Sequence, residues 1–256
     1  MNNAVRATVL TATFRFYEEL NDFLPPRNHK TDITRTFQQR NSVKDMIEAQ
    51  GVPHTEIDLI LVNHESVGFS YIVQDGDLVS VYPVFESLDI SSLNMLRPQS
   101  PRRIRFVLDT HLGKLAKYLR MLGFDALYNN TSCDLELATL ASSGDKRILL
   151  TRDVGLLKYK QVSHGYFIRS KKPREQLAEV LDRFDLRKQF TPFRLCVNCN
   201  GVLNELEKSA VYDRVPYRIY HDFDRFVICE SCQQIYWQGS HYHRMRKFMT
   251  VLASSD

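Results

Sequence analysis

IRFVLDTHLGKLAKYLRMLGFDALY, residues 104–128, decides the fold. IRFVL is a short continuous apolar run of the kind that makes a strand buried on both faces. HLGKLAKYLRMLG then puts Leu112, Leu115, Ala116, Leu119 and Leu122 at helical spacing, and Gly123 ends the stripe. FDALY reads as a second strand. The alternation continues with DLELATLASSG as helix, RILLT as strand, VGLLKYK as short helix, YFI as strand and REQLAEVLDRF as helix. Such a series argues for a parallel sheet with right-handed crossovers. A parallel α/β core is therefore expected over residues 104–190.

In an open parallel sheet the ligand site lies at the C-terminal ends of the strands. Asp109 closes the first strand and Asp153 follows the third, so both fall on that rim; Asp134 opens the second helix. Mg²⁺ and Mn²⁺ prefer carboxylate oxygens, usually one or two from protein together with substrate phosphate and water. Three carboxylates on separate elements suit such chemistry. Asp109, Asp134 and Asp153 are the candidate ligands, with Glu136 as a fourth. Each also has a plainer reading, since Asp134 and Asp153 stand where helix N-caps stand. Asp125 and Asp145 read as turn or strand-end residues.

Charge separates the chain into parts. Residues 1–90 hold 7 Lys+Arg against 13 Asp+Glu, residues 91–170 hold 13 against 6, and residues 171–256 hold 14 against 11. The basic part is where an anionic polymer would bind, although a solvated surface has the same composition. Lys114, Lys117 and Arg120 recur every three residues on the helix face away from the leucines. Lys114 also lies near a helix N-terminus, a place that attracts phosphate.

Residues 1–86 read as a β-grasp domain: ATVLTATFRFY and TDITRTF as strands, then the helix SVKDMIEAQ capped by Ser42 with Val43, Met46 and Ile47 on one face. LILVN, GFSYIV and LVSVYPV follow as strands, with Asp75-Gly76-Asp77 as a turn. The ending DGDLVSVYPV resembles the last strand of ubiquitin-like sulfur carriers such as the small subunit of molybdopterin synthase. No Gly-Gly follows it, so the resemblance implies the fold and not the sulfur chemistry; a docking or substrate-guiding module is expected, with a protein partner for its acidic surface. Residues 87–103 read as a linker with Pro98, Pro101 and a basic end at Arg102-Arg103.

Residues 191–256 hold four of the five cysteines, as Cys196-x-x-Cys199 and Cys229-x-x-Cys232. Two such pairs on tight turns fit a structural tetrahedral Zn²⁺ with no open position. LNELEK, VPYRIY and RFVIC are expected as the strands of a zinc ribbon. QQIYWQGSHYHRMRKFM follows as a basic tail. There Tyr236 and Trp237 are candidates to stack on bases, or Trp237 to pack on the ribbon, and Arg244, Arg246 and Lys247 to hold phosphate. His241 and His243 are not needed as metal ligands once four thiolates are present.

LDTHLGKLAKYLRMLGFD, then D-x-E-L, then RILLTRD, resembles the PIN-like ribonucleases of the Mut-seven C-terminal family over about residues 104–245. The resemblance implies an RNA endonuclease using Mg²⁺ or Mn²⁺, acidic residues at Asp109, Asp134 and Asp153, basic residues at Lys114 and Arg152, and an N-terminal ubiquitin-like domain. It carries the W-x-G-S-H stretch too, which places His241 on the RNA path, and it gives His111 no role. The expected protein is multi-domain α/β, with a ubiquitin-like β-grasp, a PIN-like parallel sheet and a zinc ribbon. The resemblance implies that it acts as a metal-dependent ribonuclease. A non-catalytic RNA-binding adaptor and a toxin-like nuclease silenced by a partner are the rivals. No Walker A, dinucleotide fingerprint or serine-nucleophile elbow occurs. No apolar run is long enough for a membrane span and no signal peptide opens the chain, so a cytoplasmic location is expected.

Overall fold

The computed structural model describes residues 9–83, 104–144 and 146–253. The expected linker and Asp145 lie outside them. In chain order the elements are β1 (Leu10–Phe16), β2 (Ile33–Phe37), α1 (Val43–Glu48), β3 (Ile57–Val62), β4 (Glu65–Ser66), β5 (Asp77–Pro83), β6 (Phe106–Leu108), α2 (Gly113–Met121), β7 (Ala126–Tyr128), α3 (Asp134–Ser142), β8 (Ile148–Thr151), α4 (Val154–Leu157), β9 (Gly165–Phe167), α5 (Pro173–Arg183), β10 (Leu203–Leu206), α6 (Tyr217–Asp222), β11 (Phe226–Cys229), β12 (Ile235–Trp237) and α7 (Ser240–Ala253). They pack as two units. One is Met1–Arg102 with Asp153–Phe167; the other is Arg103–Arg152 with Ile168–Asp256.

The first unit carries the ubiquitin-like sheet, ordered β2-β1-β5-β3-β4. β1 pairs antiparallel with β2 and parallel with β5, the β-grasp arrangement. Alternation along β1 sends Ala12, Phe14 and Phe16 inward, where they meet Val43, Ile47, Val79 and Val81. Ser42 caps α1 as expected, accepting from the Asp45 N–H at 3.1 Å. GFSYIV is a correction. It makes only an isolated bridge, Ser42 to Ile72, and β4 takes the place beside β3. The reason lies in Asp77, which the turn reading put outside the strand. Its carboxylate is buried in β5 and accepts from Asn63 Nδ2, the Tyr71 hydroxyl and the Gln74 N–H, tying the segment down as a turn. Burial and that carboxylate raise the pKa of Tyr71.

In the second unit β6 runs parallel to β7 on one side and to β8 on the other. Phe106, Val107, Leu108, Leu149 and Leu150 are all within 1% of full burial, as continuous apolar runs require. Gly123 adopts φ +92 at the end of α2, and a Cβ there would lie 2.1 Å from the Thr191 carbonyl oxygen, so only glycine fits. The small ribbon sheet is ordered β10-β11-β12 around Val211, Phe226 and Ile235. VPYRIY is a correction: Pro216 starts the helix α6 there, and the third strand comes after the second cysteine pair. The expected basic tail is α7, whose Met249 and Leu252 are buried, while Phe248 lies 5.5 Å from Tyr118. Among the described residues, no helix is long and apolar enough to cross a membrane.

Candidate functional site

Asp109 follows β6 directly and is 6% exposed. Its Oδ2 accepts from the Thr151 hydroxyl at the end of β8 (2.8 Å), and its Oδ1 accepts from Thr110 (3.1 Å). Its N–H donates to the Leu150 carbonyl at 3.0 Å. A buried carboxylate is thus held by two hydroxyls at the C-terminal ends of two parallel strands, the rim the sequence indicates.

An open cleft of about 440 Å³ begins at the next residue. Thr110, Lys114, Lys117, Tyr128, Lys171 and Gln176 are among its walls. Lys114, Lys117 and Lys171 are exposed, while Gln176 is buried and donates to the Ser170 carbonyl. The Tyr128 hydroxyl donates to the Thr110 carbonyl at 2.9 Å and lies 2.7 Å from where a Cβ on Gly113 would sit. Gly113 therefore lets the ring lie against the start of α2. The first turn of α5, opened by Pro173, borders the same cleft. Three lysines with a helix N-terminus make a pocket suited to phosphate. Lys171, Tyr128 and Thr151 were not singled out in the sequence; the Lys171-Lys172-Pro173 helix start was the signal for the first.

The other expected residues are placed as follows. Asp134 is the first residue of α3, exposed, with Cys133 as the cap. Glu136 is engaged at that helix start, accepting the Cys133 N–H at 3.2 Å. Asp153 is exposed and caps α4, accepting the Gly155 N–H at 2.7 Å. One Arg152 nitrogen, Nη1, donates to the Ile168, Arg169 and Ser170 carbonyls, so that arm pins backbone. Arg120 is a correction. It is 2% exposed and donates to the carbonyls of Ala126, Val197 and Asn198. A spacing of three falls about 60° short of a full helical turn, so two steps from Lys114 swing the residue about 120° into the core edge. Burial lowers the pKa of the guanidinium, and the Cys199 and Cys196 charges oppose that.

The four cysteines do meet. Their sulfurs all lie within 4.8 Å of one another, with Cys196 and Cys229 buried. Among the described residues they are the group of three or more potential ligands gathered this closely; the three aspartates are not. Cys199–Cys229 and Cys196–Cys232 sulfur separations are 3.3 and 3.6 Å. These are far beyond a disulfide bond of about 2 Å and near the roughly 3.8 Å of a tetrahedron with metal–sulfur bonds of about 2.3 Å. Both knuckles have one design: Asn200 (φ +71) and Gln233 (φ +60) turn back to donate to the Cys196 and Cys229 carbonyls. A Cβ on Gly201 would come within 2.8 Å of the Cys229 sulfur. Burial pushes the Cys196 thiol up, but the Tyr236 hydroxyl and the Cys199 and Asn198 N–H groups bring it down to about 7. Burial with the neighbouring thiols pushes Cys199 up to about 12. A dication would convert all four to thiolates. The set is consistent with a zinc ribbon.

The first knuckle is fastened to the other end of the parallel sheet from Asp109. Asn200 accepts the Ala126 N–H and donates to Asp125, which also takes both arms of Arg147 at 2.7 and 3.0 Å. Burial raises the Asp125 pKa, yet Arg147 and Asn200 outweigh it and hold the carboxyl below the usual range. A depressed pKa gives stability that is present above the unfolded value of about 4 and lost as pH falls through the folded one. Acid titration of unfolding should therefore show a loss below about pH 4 that Asp125→Asn removes, its stability lower and flatter throughout.

On the ribbon, Leu195, Val227, Ile235, Trp237, Tyr242 and Met245 are among the walls of a groove of about 470 Å³, which Arg225 and His241 also line. Trp237 is half-buried against the ribbon core, and Arg244, Arg246 and Lys247 are exposed on α7.

Two family models match the chain: the Mut7-C RNAse domain over residues 104–249 and the Mut7-C ubiquitin domain over residues 9–89. No curated protein matches it, and no solved structure does. With more than half its length inside the first match, the chain belongs to the Mut7-C RNAse domain family and carries that family's ubiquitin-like domain before it.

Proposed function

We propose that this protein is a divalent-metal-dependent ribonuclease that hydrolyses RNA phosphodiesters beside Asp109. The observation that carries the reading is a buried, hydroxyl-held carboxylate one residue from a cleft bearing three lysines. Membership of an RNAse family supports the same class of reaction. Asp109, Asp134 and Asp153 are the proposed ligands of Mg²⁺ or Mn²⁺, whose hard oxygen preference their carboxylates fit. When bound, such an ion activates water and stabilises charge on phosphate oxygens. Lys114, Lys117 and Lys171 hold the RNA backbone and neutralise its charge. Thr151 and Thr110 keep the Asp109 oxygens oriented. The groove at Trp237 and His241, with Arg244 on α7, offers an unpaired base an apolar wall beside cations. The cysteines hold a structural Zn²⁺, and reduced thiols of that kind suit a cytoplasmic setting.

A second reading has one observation in its favour: Asp134 and Asp153 are both exposed at helix starts, Asp153 as an ordinary N-cap and Asp134 just inside its helix. On that reading the protein binds RNA without cutting it. Incubation of single-stranded RNA with the purified chain and Mn²⁺ separates the two. Cleavage is expected, with KM raised in Lys114→Ala/Lys171→Ala. Because each phosphate contact adds about 0.7 to the salt slope for single strands, that variant should lower the slope of log affinity by about 1.4. Binding without cleavage under any divalent ion would leave the adaptor reading.

A further inference from the structure

Asp153–Phe167 lies inside the stretch matched as the RNAse domain, yet it packs in one unit with the ubiquitin-like fold. Two anchors hold it. The 3-10 turn His54–Glu56 supplies both. His54 is 7% exposed and sets Nε2 2.8 Å from the Val162 carbonyl oxygen. A carbonyl only accepts, so that nitrogen donates. The other ring nitrogen lies 2.6 Å from Glu48 Oε1, which fixes the ring, and Lys158 donates back to the Glu48 carbonyl at 2.8 Å. At the far end the Phe167 N–H donates to Glu56 Oε1 at 2.6 Å, and the Phe167 ring sits edge-on to Phe23 at 5.4 Å. Within the segment Leu156, Leu157 and Val162 are buried. A buried imidazole and the buried Glu56 carboxylate are costly unless hydrogen-bonded, and here a bond from each is directed at this one segment. α4 has four residues and cannot persist on its own propensity.

We propose that the ubiquitin-like domain acts in cis as the holder of the Asp153 segment, with His54, Glu48 and Glu56 as positioning residues for the ribonuclease site. The proposal rests on reading Asp153 as a site residue. Asp153 heads the segment and caps its helix, so order in residues 154–167 sets where its carboxylate lies. Loosening the anchors should harm the chemical step and leave RNA binding, which relies on Lys114 and Lys171, as it was.

The test uses the full chain. His54→Ala should raise amide hydrogen exchange across residues 154–167 about tenfold, the upper end for one lost hydrogen bond, while β1 and β5 stay protected. Its kcat on RNA with Mn²⁺ should fall by about the same factor at unchanged KM. His54→Gln keeps an N–H donor and should restore much of both. If His54→Ala loses protection throughout β1 and β5, Lys158→Met, which leaves the β-grasp core untouched, carries the test and should loosen residues 154–167 alone. Wild-type exchange in that segment in the readable variant overturns the proposal, as does raised exchange with unchanged kcat. If the wild-type chain cuts no RNA, the exchange pattern still decides whether the domain holds the segment, and the ribonuclease reading fails separately.

Discussion

Asp109→Asn should abolish RNA cleavage to within about 0.1–1% of wild type, the loss that follows removal of one preorganised electrostatic group at a reacting centre. That is about 2.7–4 kcal/mol of transition-state stabilisation. Asparagine is the right probe because the site is packed as well as charged. Thr151 is fully buried and its hydroxyl donates to Asp109. Alanine would remove that hydroxyl's bond to the carboxylate and leave a gap in a packed site, and so confuse stability with chemistry. Asparagine keeps an oxygen for one threonine and offers an N–H to the other, whose hydroxyl can rotate to accept. Melting should therefore move by a few degrees at most, while the rate collapses. Retained cleavage in a folded Asp109→Asn protein would remove Asp109 from the site and the proposed reaction with it.

How much of this was legible depends on whether the signal is local. The crossover unit at residues 104–128 was readable because buried parallel strands and amphipathic helices write themselves as runs and periods. β6, α2, β7, α3 and β8 all fall where their apolar patterns place them. Asp109 was readable too, as a lone carboxylate ending a wholly apolar strand. Arg120 was not, since a charge at helical spacing looks solvated until the carbonyls of Val197 and Asn198 arrive from 77 and 78 residues away. The packing of Asp153–Phe167 with the β-grasp fold is of the same kind. His54 and Val162 are 108 residues apart, and nothing in VGLLKYKQV announces that partner. GFSYIV and VPYRIY failed for a different reason. Aromatic and β-branched residues favour strands only weakly, and a buried Asp77 in one case and Pro216 in the other overrode that preference.

Removing the metal from the cysteine centre should unfold the ribbon outright. Its core is Val211, Phe226 and Ile235 with a few half-buried neighbours, too little apolar surface for an independent fold. Structural zinc supplies about 10–16 kcal/mol of apparent binding energy to such modules, and with zinc on the four cysteines as proposed that energy is folding energy. The loss should not stop at the ribbon. The first knuckle gives Arg120 two of its three carbonyls, satisfies the Ala126 N–H and hydrogen-bonds Asp125. Freeing it leaves a buried guanidinium short of partners, a fault worth several kcal/mol in the parallel-sheet core. A strong chelator, or Cys229→Ser, should therefore lower the melting temperature of that core by about 10 °C or more, at 2–4 °C per kcal/mol for a protein of this size. Cys133 supplies the control: it is exposed and outside the group, so Cys133→Ser, which keeps a cap on α3, should leave the metal content unchanged and not lower the melting temperature. Mass spectrometry of the intact chain should find one zinc, released together with the thermal step. A chain that carries less than one metal ion, and whose Cys229→Ser variant melts as wild type does, would show that the ribbon is held by its hydrogen bonds and not by an ion.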